Sequence, residues 1–287
     1  MSIIQKPSNH ALNPMSKTEV PSMELPGFRF LLSQERRTTK NVLIYSPYAL
    51  GDCVCAEPAI RFAVKNFAGC KVSLLTPFPD LYRHIPFEQV FHTSAPKPDW
   101  DNYYVLKCYY AADELQSEFV HNFNMSIDDY IATCLFKGQV PVADRNIILQ
   151  PSQLEMGSVP KMPVVIHAGK HWVSKTFPKL WWDAVISGLI EAGVQPTLIG
   201  ANSDGGSRGY VDVDATHCHD FRDKLTIMQS VALLQKAQVC LSNDSAPYHM
   251  AASGSAHVGV FSTVRHFDFI GHWRPDDAGE KRLVSPD

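Results

Sequence analysis

The 287-residue sequence lacks several features that would assign it to a specialised class of protein. It has no apolar run near the roughly 20 residues that a membrane-spanning helix needs, so any membrane contact is expected to be peripheral. Its formal net charge is −3, and it therefore lacks the excess of Lys and Arg that is typical of nucleic-acid-binding proteins, although a local basic groove would still allow that partner. Its hydrophobic fraction of 45% is that of a globular protein with a substantial core.

The sequence also lacks a disulfide framework and a secretory signal. Its seven cysteines are odd in number and scattered. The N-terminus does not show the basic, apolar and small-residue pattern of a signal peptide. These absences predict reduced thiols and a cytoplasmic protein, with any membrane association confined to the inner membrane surface. The histidines show no recognised metal-ligand spacing, so no metal site is expected from them.

Apolar runs divide the rest of the chain into two similar units. Residues 1–40 carry several prolines and no sustained apolar period, which predicts a leader or a loose wrap. Units at 41–155 and 156–287 follow, and the segment 150–163, rich in Pro, Ser and Gly, is predicted to link them. Each unit has continuous apolar runs that are typical of buried parallel strands. The runs lie at 42–45, 72–75, 164–166, 197–199, 239–241 and 258–261, with weaker candidates at 103–106 and 147–149.

Helical patterns separate these strands, so the sequence predicts an α/β fold with two doubly wound parallel sheets. Apolar residues from Ile60 to Phe67 recur at helical spacing, as do those from Trp182 to Ile190. Thr226 and Gln229 form a capping box at the start of a third helix. In such sheets, ligands bind beyond the carboxyl ends of the strands, and the loops there are the first places to look for chemistry.

Three of these loops carry residues suited to binding or catalysis. The loop of residues 45–52 ends with Asp52 at the mouth of a helix, where the carboxylate either acts chemically or caps the helix. The loop of residues 167–175 offers lysines that would either neutralise a phosphate or remain solvated. The loop of residues 243–249 opens a helix with Pro247 in its first turn; its amides, Ser245 and His249 would suit an anion or serve as simple caps.

Segments from these three loops together resemble glycosyltransferase family 9, the heptosyltransferase-like enzymes of lipopolysaccharide assembly. They read, in chain order, LGDCVCAEPAIRF, VVIHAGKHWVSKTFPKLWWDAVI and LSNDSAPYHMAA. The resemblance covers residues 41–263 and is thinnest between 82 and 163. It implies a GT-B fold, in which two Rossmann-like domains face each other across a cleft. The acceptor would then lie on the 41–155 side and the nucleotide sugar on the 156–287 side.

The resemblance also implies a role for each matched residue. Asp52 matches the catalytic base that removes a proton from the acceptor hydroxyl, and Lys175 matches a lysine that assists catalysis and meets the donor diphosphate. The remaining matched positions are expected to hold the donor: Gly51, Gly169, Lys170, Asp244, Ser245, Ala246, His249 and Thr263. Ala246 replaces a usual glycine, which would alter the closest backbone approach to the phosphates.

The implied reaction is transfer of a sugar with inversion, and it requires neither a metal ion nor a cofactor. A nucleoside-diphosphate sugar is the expected co-substrate, and a saccharide or lipopolysaccharide-type glycan is the expected acceptor. Alternatives remain open from the sequence: a DNA-modifying glycosyltransferase, a sugar-nucleotide epimerase, and a non-catalytic protein that only binds the nucleotide sugar. Asp212 and Asp214 have the spacing of a metal-binding Asp-x-Asp pair, and residues 217–219 invite a metal interpretation as well.

Overall fold

A computed structural model describes residues 41–67, 69–108, 127–136, 138–170, 173–202, 209–261 and 283–284. The predicted leader and Thr263 lie outside these ranges. The strands are β1 (Asn41–Tyr45), β2 (Lys71–Thr76), β3 (Val90–His92), β4 (Tyr104–Lys107), β5 (Val164–His167), β6 (Gly169–Lys170), β7 (Thr197–Leu198), β8 (Gly209–Tyr210), β9 (His219–Asp220), β10 (Val239–Asn243), β11 (His257–Phe261) and β12 (Leu283–Val284). The α-helices are α1 (Leu50–Asn66), α2 (Ile127–Phe136), α3 (Gln153–Ser158), α4 (Lys179–Glu191), α5 (Ile227–Lys236) and α6 (Ala246–Ala251).

Two parallel sheets organise the described part of the chain. The first has the order β3-β2-β1-β4 and the second the order β12-β11-β10-β5-β7-β9. A short antiparallel ribbon of β6 and β8 stands apart from both sheets. The predicted α/β fold with two doubly wound parallel sheets is therefore confirmed.

The strand order of the second sheet locates a crevice for ligands. After β5 the chain builds outward through β7 and β9, and it then returns to the other side of β5 with β10 and β11. The loops that leave β5 and β10 consequently diverge at their carboxyl ends, the place where open α/β sheets bind ligands. The first sheet has the same kind of reversal between β1 and β4, next to the loop that enters α1.

Helix α1 brings Asp52 from the end of β1 to the second half of the molecule. The carbonyl of Ala49 accepts a hydrogen bond from the N–H of Cys53 at 3.0 Å, and the helix begins at Leu50. Asp52 therefore lies in the first helical turn, not in the loop as predicted, and Ala49 occupies the capping position. A carboxylate in the first turn is stabilised by the positive end of the helix. Helix α1 packs against both α2 and α6.

The buried carboxylate of Glu57 ties α1 to the segment that leaves the first half. One oxygen accepts hydrogen bonds from Nε of Arg61 at 2.6 Å and from Nε2 of His84 at 3.0 Å. The other accepts the backbone N–H of Ile148 at 2.8 Å. A buried carboxylate must be paired to be tolerated, and these three partners pair it. The helix that carries Asp52 is thereby held in a fixed position.

The same contacts explain why the strand predicted at residues 147–149 is wrong. Ile147 and Leu149 are buried, as the apolar run suggested, but no strand forms there. The N–H of Ile148 is bonded to Glu57, and the carbonyl of Leu149 accepts a hydrogen bond from Gln235 at 2.8 Å. Side chains thus satisfy the backbone groups that a sheet neighbour would otherwise satisfy.

Apolar burial joins the two halves, and the cysteines contribute to it. One cluster of buried residues includes Ile44 from the first sheet, Val54 from α1 and Met250 from α6. All seven cysteines lie in the described ranges, and none forms a disulfide. Five are buried, whereas Cys70 and Cys218 are half-buried. Within the described ranges, no helix combines the length and apolar character needed to cross a bilayer.

Candidate functional site

An ion pair joins the two loops at the crevice of the second sheet. Nζ of Lys175 lies 2.5 Å from Oδ2 of Asp244, and Nε2 of His249 lies 3.6 Å from Oδ1 of the same carboxylate. Burial opposes ionisation of Asp244, but the hydrogen bond from His249 and the charges of His249 and Lys175 outweigh it. They hold the pKa of Asp244 well below its usual value. Lys175 and His249 are thus brought together around the carboxylate of Asp244, and all three are predicted site residues.

Asn243, which is not among the site residues predicted from the sequence, holds the two loops together. Its side-chain amide donates to the carbonyl of Lys175 at 2.8 Å and to the carbonyl of Gly169 at 3.3 Å. Its side-chain oxygen accepts a hydrogen bond from Oγ of Ser245 at 3.1 Å. The only signal in the sequence is a polar residue at the end of an apolar strand. Its structural role depends on partners that are distant along the chain.

Gly169 is required by this contact. A β-carbon at residue 169 would lie 2.2 Å from Oδ1 and 2.8 Å from Nδ2 of Asn243, far inside contact distance. The Asn243 side chain is buried and bonded on both sides, so it has no room to move away. The position predicted to lie near phosphate therefore has a packing reason to be glycine.

Replacing Gly169 by alanine is expected to displace Asn243 and break its bond to the Lys175 carbonyl. Overpacking of this kind typically costs about 1–3 kcal/mol of unfolding free energy. Thermal denaturation measures this loss, and donor KM should rise with it. Gly157→Ala is the matched control, because nothing lies within 4 Å of a β-carbon there. An unchanged melting temperature for Gly169→Ala would contradict the crowding.

A cavity of about 250 Å³ opens beside these loops. Its polar lining includes Lys170, Ser245 and the backbone of Gly169, and Leu50 reaches it from the first half of the chain. Its apolar lining is made by Ile199, Leu225, Ile227, Pro247 and Met250. Clefts with apolar walls and a few convergent polar groups are typical ligand sites. The predicted residues Gly169, Lys170, Ser245 and Ala246 all border this cavity.

The start of α1 lies directly against the start of α6. A β-carbon at Gly51 would be 3.3 Å from Cδ2 of His249 and 3.5 Å from Cα of Ala246. Asp52 follows in the same turn of α1. Burial raises the pKa of the Cys55 thiol, and the charges of Asp128, Asp52 and Asp244 raise it further. The helical turn that carries Asp52 thus packs against the start of the helix that follows Asp244.

His167 lines the cavity and, like Asn243, is not among the site residues predicted from the sequence. It ends β5, and its Nδ1 lies 3.4 Å from the carbonyl of Ile199. A carbonyl only accepts, so Nδ1 carries the proton of the neutral ring. Burial lowers the pKa of His167 to about 4, which keeps the ring neutral at physiological pH. A buried polar residue at a strand end was the available signal.

The lowered pKa of His167 predicts a loss of stability in acid. Below pH 6.5 the unfolded chain binds a proton at this residue, whereas the native ring stays neutral until about pH 4. The free energy of unfolding therefore decreases as the pH falls through this window, by roughly 3 kcal/mol in all. Unfolding by urea between pH 7 and 4 should show a shallower pH dependence for His167→Gln. His257→Gln, at an exposed position, should behave as wild type.

Asp212, one of the residues considered as a metal ligand, lines a neighbouring pocket together with Lys170. Asp212 is exposed and pairs with Arg222 at 3.4 Å, while Asp214 accepts hydrogen bonds from the N–H and Oγ1 of Thr216. Among the described residues, no group of three or more His, Cys, Asp or Glu side chains has the arrangement of a metal centre. Thr263, the remaining predicted donor residue, lies outside the described residues.

A family model matches the part of the chain that carries the loops after β5 and β10. Residues 132–275 match the family model described as glycosyltransferase family 9 (heptosyltransferase). No protein among the curated ones matches the sequence significantly. The matched region includes the loops after β5 and β10 and the strands of the second sheet other than β12.

Solved structures of related fold extend the comparison to most of the chain. A family 9 glycosyl transferase from Veillonella parvula DSM 2008 has a TM-score of 0.62 at 11% identity, covering 86% of each chain. The E. coli heptosyltransferase WaaC, solved with ADP, has a TM-score of 0.60 at 14% identity, covering 86% of this chain and 93% of that one. The iron-containing dodecameric glycosyltransferase TibC of enterotoxigenic E. coli H10407 has a TM-score of 0.54 at 18% identity, covering 77% of this chain and 57% of TibC. These similarities support the GT-B fold.

Proposed function

Because the chain belongs to glycosyltransferase family 9, we propose that it moves a sugar from a nucleoside-diphosphate donor to an acceptor hydroxyl, with inversion at the anomeric carbon. The observation that supports this proposal is the contact of Gly51 with His249 and Ala246, which brings the first turn of α1 against the start of α6. In this proposal, Asp52 from the first half and Lys175 from the second serve one site. Sugar transfer needs a base and a cation in this arrangement.

The cavity suits the nucleotide part of such a donor. Its apolar side, with Leu225, Ile227 and Met250, would accommodate a planar base. Its polar side, with Lys170 and Ser245, would face the phosphates. Lys175 is tied to the lining residue Asn243 through its carbonyl, and its ammonium group, paired with Asp244, has three N–H donors with which to bind several oxygens.

In the proposed reaction, the acceptor oxygen attacks the anomeric carbon while the bond from that carbon to the diphosphate oxygen breaks. Asp52 takes the proton of the acceptor hydroxyl as the new bond forms. Negative charge grows on the departing diphosphate, and Lys175 together with the amides at Ser245 and Ala246 would stabilise it there. Interactions that strengthen as charge develops lower the barrier more than interactions made equally with the bound donor.

A thermal-shift screen with ADP-, UDP-, GDP- and CMP-linked sugars tests donor binding. A ligand present at one hundred times its dissociation constant stabilises the native state by about 2.7 kcal/mol, which is a readily measured shift in Tm. Release of the nucleoside diphosphate, or of CMP from a CMP-linked sugar, upon addition of candidate glycan acceptors then tests transfer. A protein that is stabilised by the donor but never releases the diphosphate would be a binder only.

We propose that transfer proceeds without a metal ion, with Lys175 and the loop amides as the cationic groups. The same assay, run with and without EDTA, tests this part separately. Undiminished transfer in EDTA supports the proposal, and a loss that Mg²⁺ or Mn²⁺ restores would contradict it. The acceptor is proposed to be a saccharide or lipopolysaccharide-type glycan, by analogy with the family.

A further inference from the structure

Asp223 stands out in the backbone of the second half. Its φ is +56°, the positive φ recorded for a non-glycine residue in the described ranges. Residues other than glycine occupy this left-handed region at a cost, and aspartate and asparagine tolerate it best. Such strain persists only where surrounding contacts enforce it, and it is concentrated at functional sites. The contacts that hold Asp223 in this conformation therefore indicate what it does in the fold.

These contacts fasten both ends of the chain segment that joins β7 to β8. Oδ1 of Asp223 accepts the N–H of Asn202 at 2.8 Å, and Oδ2 accepts the hydroxyl of Tyr210 at 2.6 Å. The N–H of Asp223 donates to the carbonyl of Gly200 at 2.8 Å. One residue thus holds the chain where it leaves β7 and where it enters β8.

The two ends of this segment are in close contact with each other. Gly200 has φ +145°, and a β-carbon on it would lie 2.8 Å from Cδ1 of Tyr210. Gly209 has φ +134°, and a β-carbon on it would lie 2.5 Å from Oδ1 of Asn202. Glycine at both positions permits this close crossing, and Asp223 fixes it.

The two fastened ends form part of the cavity lining. Gly200, Ala201 and Gly209 line it together with Pro247 and Met250. Strand β8 also pairs with β6, where Gly209 is aligned with Lys170. A shift of β8 would therefore move both this part of the lining and the backbone of Lys170.

We propose that Asp223 is a positioning residue for the donor: it holds the Gly200–Ala201 edge and β8 in the place that the nucleotide requires. This inference rests on the proposed function, since it concerns the same cavity. Asp223 itself does not line the cavity, so its effect on donor binding passes through the backbone that it holds. The acceptor side of the site should be indifferent to it.

The test compares Asp223→Gly, Asp223→Asn and Tyr210→Phe in the full chain. Glycine removes both side-chain bonds but relieves the positive φ, so the fold should stay stable; asparagine retains an acceptor for Asn202; phenylalanine removes only the Tyr210 bond. We expect Asp223→Gly to raise the donor KM and the dissociation constant of the tightest-binding nucleoside diphosphate about tenfold, with kcat and acceptor KM nearly unchanged. Asparagine and phenylalanine should give smaller increases.

Asp99→Gly is the matched control, because Asp99 also organises a loop, through the N–H of Asp101 and the amide of Asn102, but in the first half. Its donor KM should equal that of the wild type. If the wild type binds ADP, UDP, GDP or CDP and Asp223→Gly binds the same nucleotide equally tightly, the positioning role of Asp223 is wrong. The proposed function is then unaffected. If no nucleoside diphosphate binds the wild type and no sugar is transferred, both this inference and the proposed function fail.

Discussion

Asp52→Asn is expected to lower kcat for sugar transfer by about 10²–10⁴-fold, the usual contribution of a positioned general base. Asparagine has the shape of aspartate but cannot take a proton from the acceptor hydroxyl. The dissociation constant for the donor nucleotide should stay within about twofold of wild type, since Asp52 would act on the acceptor and gain importance only as the proton moves. Initial rates of diphosphate release, together with equilibrium binding of the nucleotide, measure the two quantities.

Asp80→Asn provides the control for a change of charge in the same half. Asp80 is an exposed carboxylate that pairs with Arg83 at 3.4 Å and lies outside the cavity lining. Its substitution should leave kcat unaffected. Full turnover by Asp52→Asn would remove Asp52 from the role of base, and weakened nucleotide binding without loss of kcat would assign it to the donor side instead.

Lys175→Met should have two effects that can be separated. Transfer should fall by about 10²–10³-fold in kcat, the typical loss when one group that stabilises developing charge is removed. Stability should also fall, by up to about 3 kcal/mol, because the buried carboxylate of Asp244 would lose its partner at 2.5 Å. Kinetics and chemical denaturation report the two losses independently.

The double variant Lys175→Met with Asp244→Asn distinguishes catalysis from folding. A neutral amide in place of Asp244 removes the unpaired charge, so the double variant should recover much of the stability that Lys175→Met loses. It should not recover transfer, because no ammonium group faces the departing diphosphate. Recovery of kcat in the double variant would show that Lys175 serves only to neutralise Asp244.

Local sequence patterns predicted the regular elements well where packing and pattern agree. The run at 239–241 forms the first three residues of β10, because a strand between two others requires apolar residues on both faces. Thr226 and Gln229 form both bonds of the predicted capping box, which depends only on residues three apart. At residues 147–149 the apolar pattern was equally clear, but the side chains of Glu57 and Gln235 took the backbone groups instead.

The candidate site was predictable as a set of loops but not as a set of contacts. The position of Lys170, Asp244 and Ser245 at strand ends follows from the topology rule for parallel sheets. The ion pair between Lys175 and Asp244 depends on distances across the fold. The roles of Asn243 and His167 depend likewise on distant partners, the carbonyls of Lys175 and Ile199, that no spacing in the sequence reveals.

The distribution of the cysteines provides a built-in way to observe the two halves. Cys70 precedes β2 in the first half and Cys218 precedes β9 in the second, and both are half-buried while the other five are buried. Thiol-reactive dyes applied to the native protein should therefore attach at one position in each half. An energy-transfer pair placed there would report any change in the separation of the halves when nucleotide is added, without the introduction of a new residue.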